Sequence, residues 1–193
     1  QLGQFLLQKE LAGFAFAAGI PGTVGGAVYM NAGAYGGEIC QVVESVEVMD
    51  MTGTIRTMSK DEMQFSYRHS ILEETGGIVI SVDFVLTKGD TEEIRGKMKE
   101  LQAKRSASQP LDLPSAGSAF KRPVGGYAAA LIDQAGLKGY QVGGAAVSEK
   151  HAGFVVNVGG ATCADVLELI KGVQDKVKAD TGFFLEPEVE ILG

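Results

Sequence analysis

Gly19-Ile20-Pro21-Gly22-Thr23-Val24-Gly25-Gly26-Ala27-Val28-Tyr29-Met30-Asn31-Ala32-Gly33-Ala34-Tyr35-Gly36-Gly37 places seven glycines in nineteen residues. Glycine costs a helix roughly 1 kcal/mol per residue, so the stretch reads as too glycine-rich for a stable helix and too irregular for a simple strand. Two readings stay open on composition. Small residues let backbone amides approach a phosphate or a flat ring. Alternatively the stretch is a buried, tightly turned loop without a ligand. Neither a GK[ST] at Walker spacing nor a G-x-G-x-x-G opening a helix is present.

Outward from this stretch, the first eighteen residues are apolar and glycine-broken, a short helix or a buried connection. Strands are expected at 42–49, where Val and Glu alternate, at 54–58 after a turn at 50–53, and at 78–86. Residues 91–104 read as a helix with Thr91 as N-cap and Ile94, Met98 and Leu101 on one face. Pro110 and Pro114 within the polar run 106–115 place a domain boundary near 103–110. Beyond it, 127–134 reads as a helix closed by Gly136, 142–147 and 154–158 as strands, and 163–178 as a helix. Thr162 caps that last helix, and Val166, Leu169, Ile170, Val173 and Val177 form its buried stripe. A strand is expected at 184–192. The class is α+β.

The chain has 193 residues with 45% hydrophobic and 21% charged, an ordinary globular composition that argues against disorder. Its formal charge is 17 − 24 = −7. An acidic surface suits neither a nucleic-acid backbone nor an anionic membrane, so neither is expected as a partner. Cys40 and Cys163 stand far apart with no Cys/His cluster. A metal site is not expected, and a reducing cytoplasm is. The chain begins at Gln1, so processing or a longer parent protein is expected.

Four places carry candidate chemistry. Besides the glycine stretch, Ser115-Ala116-Gly117-Ser118-Ala119-Phe120-Lys121-Arg122-Pro123 sets a hydroxyl before two cations. It reads as an anion-receiving turn with Ser118 as a proton donor, or as a polar turn with solvated charges. In Ser66-Tyr67-Arg68-His69-Ser70 an arginine beside a tyrosine suits a carboxylate, or is a surface arginine. Leu185-Glu186-Pro187-Glu188-Val189-Glu190 puts three carboxylates on one face of a strand, a general acid or an exposed acidic edge.

Five motifs in order, AGIPGTVGGAVYMNAGAYGGE, SYRHS, QPLDLPSAGSAFKRP, GGAAVSEKHAGFVVN and LEPEVEILG, resemble the MurB family, the UDP-N-acetylenolpyruvoylglucosamine reductases of bacterial peptidoglycan synthesis. The resemblance runs over residues 12–193 and is to the shorter, second type. It implies part of a MurB-like FAD-binding domain (1–103), a smaller α+β substrate-binding domain (104–186) and a tail strand (187–193) returning to the flavin domain. It implies a cytoplasmic enzyme using FAD and NADPH on UDP-N-acetylglucosamine enolpyruvate, as a monomer or weak dimer. By position, Ser118 matches the proton donor, Glu188 the catalytic carboxylate and Arg68 the arginine for the enolpyruvyl carboxylate. Tyr67, Lys121, Arg122 and Lys150 match substrate contacts, and Gly22, Thr23, Gly25, Gly26 and Ile80 match flavin contacts.

The family's amino-terminal FAD lobe precedes the point where this sequence starts. Weak flavin binding and little reductase activity are therefore expected of the chain alone. Two alternatives are a related FAD oxidoreductase with another substrate and a nucleotide-sugar module without redox activity. The resemblance further implies that Ser118, Arg68 and Glu188 serve one vinyl-ether pocket.

Overall fold

The structure is a computed structural model and describes residues 1–191. The chain divides into two compact units, Gln1–Arg105 and Ser106–Gly193. The first contains, in order, α1 (Leu2–Gln8), β1 (Leu11–Ala12), α2 (Val24–Tyr29), β2 (Gly33–Ala34), β3 (Gly37–Glu38), β4 (Val43–Met49), β5 (Ile55–Ser59), α3 (Leu72–Thr75), β6 (Ile78–Phe84), β7 (Thr87–Lys88) and α4 (Thr91–Ser108), within which the division falls. The second contains β8 (Ser115–Ser118), α5 (Ala128–Gln134), β9 (Gln141–Val142), β10 (Ala145–Val147), β11 (Phe154–Asn157) and α6 (Cys163–Thr181). The class is α+β.

In the first unit β5, β4 and β6 form an antiparallel sheet in that order. Val46 faces Val82 and Met58, and Val48 faces Val79, so the period-two alternation buries one face. That face shares a core with Phe14, Phe16 and Val28 of the preceding segment. Phe14 meets Phe16 and Phe84 at 5.5 Å between ring centroids. A second, smaller core joins Leu7 to Ile94 and Met98 of α4, the helical stripe expected from their spacing. The N-cap of α4 differs from expectation: Asp90 Oδ1 accepts the Glu92 and Glu93 amides at 2.9 Å each, and Thr91 is already helical.

The glycine stretch also differs. Residues 24–29 form a helix despite Gly25 and Gly26, capped by Thr23 Oγ1, which accepts the Gly26 amide at 3.0 Å. The reason is tertiary. A Cβ on Gly25 would meet Val79 Cβ at 3.4 Å, so the absent side chain lets α2 lie close on β6. Packing area outweighs the propensity deficit of two glycines.

The second unit is an antiparallel sheet in the order β8-β11-β10-β9, with α5 and α6 buried against one core. Leu169, Ile170, Val173 and Val177 of α6 are all buried, as their spacing requires. Thr162 and Asp165 cap α6 reciprocally, and Gly182 ends it at φ +77°. Strand β8 was not legible as a strand, because Pro114 and Gly117 within a polar run read as turn chemistry.

The expected tail strand is absent over the described residues 184–191, which hold only an isolated bridge between Pro187 and Phe120. Residues 192 and 193 of that tail lie outside the described residues. Leu185 is fully buried in the second unit's core, while Glu186 is exposed.

Candidate functional site

In the first unit, Ser66 and His69 bridge each other and carry Tyr67 and Arg68 at the tip of a tight turn. Arg68 adopts φ +54°, a left-handed conformation that costs a non-glycine residue about 1 kcal/mol or more unless contacts hold it. Those contacts are visible. Arg68 Nη2 donates to Gly33 O at 2.8 Å, and its guanidinium lies 5.1 Å from the Tyr67 ring centroid.

Beneath the turn, Asn31 Nδ2 donates to Ser66 O at 2.8 Å and to Glu38 Oε2 at 3.0 Å, while Asn31 Oδ1 accepts the Cys40 amide at 3.0 Å. Buried Ser70 donates from Oγ to Tyr29 O. Asn31 and Ser70 were missed in the sequence. The available signal for Asn31 was an asparagine among glycines, a residue that tolerates φ > 0. It stands at φ +45°.

Four of the seven glycines of 19–37 mark two extremes. A Cβ on Gly33 would run into Glu38 and the Gly37 carbonyl at 2.7 Å, and one on Gly37 into the Phe16 ring. These two serve internal packing. Gly22 and Gly36 stand at φ +132° and +82° with nothing within 4 Å of a Cβ. The space where their side chains would stand is open. On β6, Val79 opposes Val48 and Ser81 opposes Glu47, so Ile80 is the extra residue of a β-bulge. It is 49% exposed, with Ile78 similarly exposed. Open space at Gly22 and Gly36 and exposed isoleucines on the strand that carries α2 fit a flat, apolar-faced group such as a flavin.

In the second unit a bulge sets Ser118. Phe154 pairs with Ser118 and Val156 with Ser115, which leaves one extra residue on β8, where Gly117 takes φ +93°. Ser118 is half-buried, and its Oγ donates to Phe120 O at 3.2 Å. The next residues are held from both sides. The Ala119 amide donates to Gly153 O at 2.8 Å, and Ala119 O accepts the Glu188 amide at 2.9 Å. The Lys121 amide donates to Glu186 O at 2.8 Å. Half-buried Glu188 therefore sits on the segment bonded directly beside Ser118, although 70 residues (188 − 118) separate them.

The cations differ in their surroundings. Lys121 Nζ is 2.8 Å from Glu186 Oε1, and Lys150 Nζ donates to Ser106 O at 2.7 Å. Arg122 lies over the ring of Tyr127. A cavity of about 410 Å³ opens among β8, β11 and the start of α6, lined by Ser115, Gly117, Ala119, Cys163 and Val189 among others. None of these three cations lines it, so this hollow is not where the charged groups gather.

His151 packs edge-on against Phe154 at 4.9 Å and accepts the Gly153 amide at Nδ1. Burial, reinforced by the charge of Lys138, pushes its pKa below the usual histidine value. The folded chain then binds fewer protons than the unfolded chain below about pH 6.5, so the histidine's contribution is present above that pH and is lost as pH falls. Between pH 7.5 and 5 the thermal midpoint of the wild type is expected to drop more than that of His151→Gln. Parallel curves would show that His151 is not the titrating group.

Comparison with known proteins adds three findings. A family profile described as the C-terminal domain of UDP-N-acetylenolpyruvoylglucosamine reductase matches residues 109–192, and an FAD binding domain profile matches 1–59. A UDP-N-acetylenolpyruvoylglucosamine reductase of Latilactobacillus sakei is 56% identical over the whole chain, and one of Caldanaerobacter subterraneus is 57% identical over 97% of it. The chain spans 64% and 62% of those relatives' lengths, less than two thirds. Among solved structures, MurB from Thermus caldophilus superposes with a TM-score of 0.89 at 41% identity, over the whole chain and 68% of that protein.

Proposed function

Since the chain belongs to the MurB family, we propose that it carries the substrate-handling residues of a cytoplasmic, NADPH-dependent reduction of UDP-N-acetylglucosamine enolpyruvate to UDP-N-acetylmuramate. What supports the reading beyond family membership is the bond from the Glu188 amide to Ala119 O, which joins the segment of one proposed catalytic side chain to that of the other, Ser118.

The chemistry that bound FAD would supply is hydride transfer from NADPH to the vinyl group of the substrate. Gly22, Thr23, Gly25, Gly26 and Ile80 are the residues that would hold FAD. The Gly26 amide is spent on Thr23, so Gly26 contributes shape and not a phosphate donor. Arg68 binds the enolpyruvyl carboxylate through charge-assisted hydrogen bonds, with Tyr67 beside it. As negative charge develops on the carbon next to that carboxylate, the guanidinium draws it into the carboxylate oxygens. Ser118 then gives its Oγ proton to that carbon, and Glu188 serves as the second proton-handling group. Lys121, Arg122 and Lys150 neutralise the diphosphate end.

The reading is tested by calorimetric titration of UDP-N-acetylglucosamine and its enolpyruvyl ether. The ether is expected to bind about tenfold more tightly, a charge-assisted pair being worth about 1.5–3 kcal/mol. Arg68→Ala is expected to erase that preference. Equal affinity of the two ligands for the wild type would sink the reading.

A further inference from the structure

Arg122 is held differently from the two lysines expected to share its role. The Lys121 charge is met by Glu186 at 2.8 Å, and Lys150 by a backbone carbonyl at 2.7 Å. Arg122 donates from Nε to Gly126 O at 3.3 Å, and its Cζ lies 3.9 Å from the Tyr127 ring centroid. That separation is van der Waals stacking, well inside the roughly 6 Å reach of a cation–π contact.

The chain between them is built to close this contact. Pro123 presets its own φ, the Gly126 amide returns to Pro123 O at 3.2 Å, and Gly125 takes φ +81°. Tyr127 then stands at the N-cap of α5, followed by buried Ala128 and Leu131, which anchor the backbone. The tyrosine itself is 60% exposed. It belongs to none of the three core clusters, and its ring lies against the Arg122 guanidinium.

We infer that Tyr127 is a positioning residue that, together with the Gly126 carbonyl, presets the Arg122 guanidinium for bidentate recognition of the pyrophosphate of a nucleoside-diphosphate sugar. The inference rests on the reading above and names how its diphosphate end is recognised. The carbonyl takes Nε–H, and the ring fixes the guanidinium plane. The two Nη groups, the edge that matches phosphate oxygens, are thereby held in one orientation. A stem with several rotatable bonds otherwise loses that freedom at the moment of binding, and the stack moves the loss into folding.

The test is titration of the full chain with UDP-N-acetylglucosamine. Tyr127→Ala is expected to weaken binding about fivefold, the scale of a partly exposed cation–π contact. Tyr127→Phe, which keeps the ring, stays within about twofold, whereas Tyr127→Leu, which keeps bulk without the quadrupole, behaves as alanine. Arg122→Ala weakens binding about tenfold or more, and adding Tyr127→Ala to it costs nothing further, since Tyr127 acts only through Arg122. If Tyr127→Ala binds as the wild type does, or weakens the Arg122→Ala chain by the same factor as the wild type, the positioning role is wrong and the functional reading stands. If the wild type itself shows no saturable binding, both fall.

Discussion

Ser118→Ala, in a chain of full family length, is expected to slow the substrate half-reaction by about 10²–10⁴-fold, the usual contribution of a positioned proton donor. Reduction by NADPH should proceed at the wild-type rate. The asymmetry follows from where charge develops. Hydride addition leaves negative charge on the carbon beside the substrate carboxylate, and nothing in the NADPH step needs an Oγ proton. The structural cost of the change is small, since Ser118 gives up one 3.2 Å hydrogen bond to Phe120 O. Stopped-flow measurement of the two half-reactions separates the possibilities. Ser118→Cys, which keeps a donor at the same position, is expected to recover part of the rate. Equal slowing of both steps would mean that Ser118 shapes the site and does not donate.

Asn31→Leu carries the largest expected loss of stability in the first unit. Asn31 is 1% exposed and makes three hydrogen bonds, to Ser66 O, Glu38 Oε2 and from the Cys40 amide. Leucine leaves those groups without their partner, and each part-buried orphan costs about 1 kcal/mol or more. Leucine also resists the left-handed backbone at φ +45°, by roughly another 1 kcal/mol. A total near 3–4 kcal/mol corresponds to a thermal midpoint lower by roughly 10 °C. Asn31→Asp separates the contributions. It keeps the acceptor for Cys40 and the tolerance of positive φ, but sets a carboxylate against Glu38. Its deficit should shrink as pH falls and one of the two carboxyls is protonated. A midpoint within about 2 °C of the wild type for the leucine variant would show that the network does not hold the Arg68 turn.

The two long helices and the strands β4, β5 and β6 were legible because their signals are local. Ile94, Met98 and Leu101 recur at helical spacing, and so do Leu169, Val173 and Val177. The Val/Glu alternation of β4 needs only the period of two. The α2 helix was not legible, because its glycines are unfavourable locally and become favourable only where Gly25 meets Val79, 54 residues away (79 − 25). The tail was expected as a strand from alternating residues. In the second unit Leu185 goes into the core and Glu186 to Lys121, so each residue answers to its own partner and not to a common ladder.

Motifs nominate Ser118, Arg68 and Glu188 as candidates, because residue types and their order are read directly. What holds these residues came only with tertiary structure. Ser118 depends on a bulge between β8 and β11, Arg68 on a carbonyl at Gly33 and an asparagine beneath its turn, and Arg122 on a tyrosine that reads in sequence as the start of a helix. Periodicity and turn chemistry act within a few residues, so a chain read alone determines its class, its main helices and its chemically able side chains. Hydrogen bonds from Asn31 to Ser66 or Glu188 to Ala119 span 35 and 69 positions, and no local pattern encodes them. Their partners are chosen when the cores close, and that choice orients the side chains.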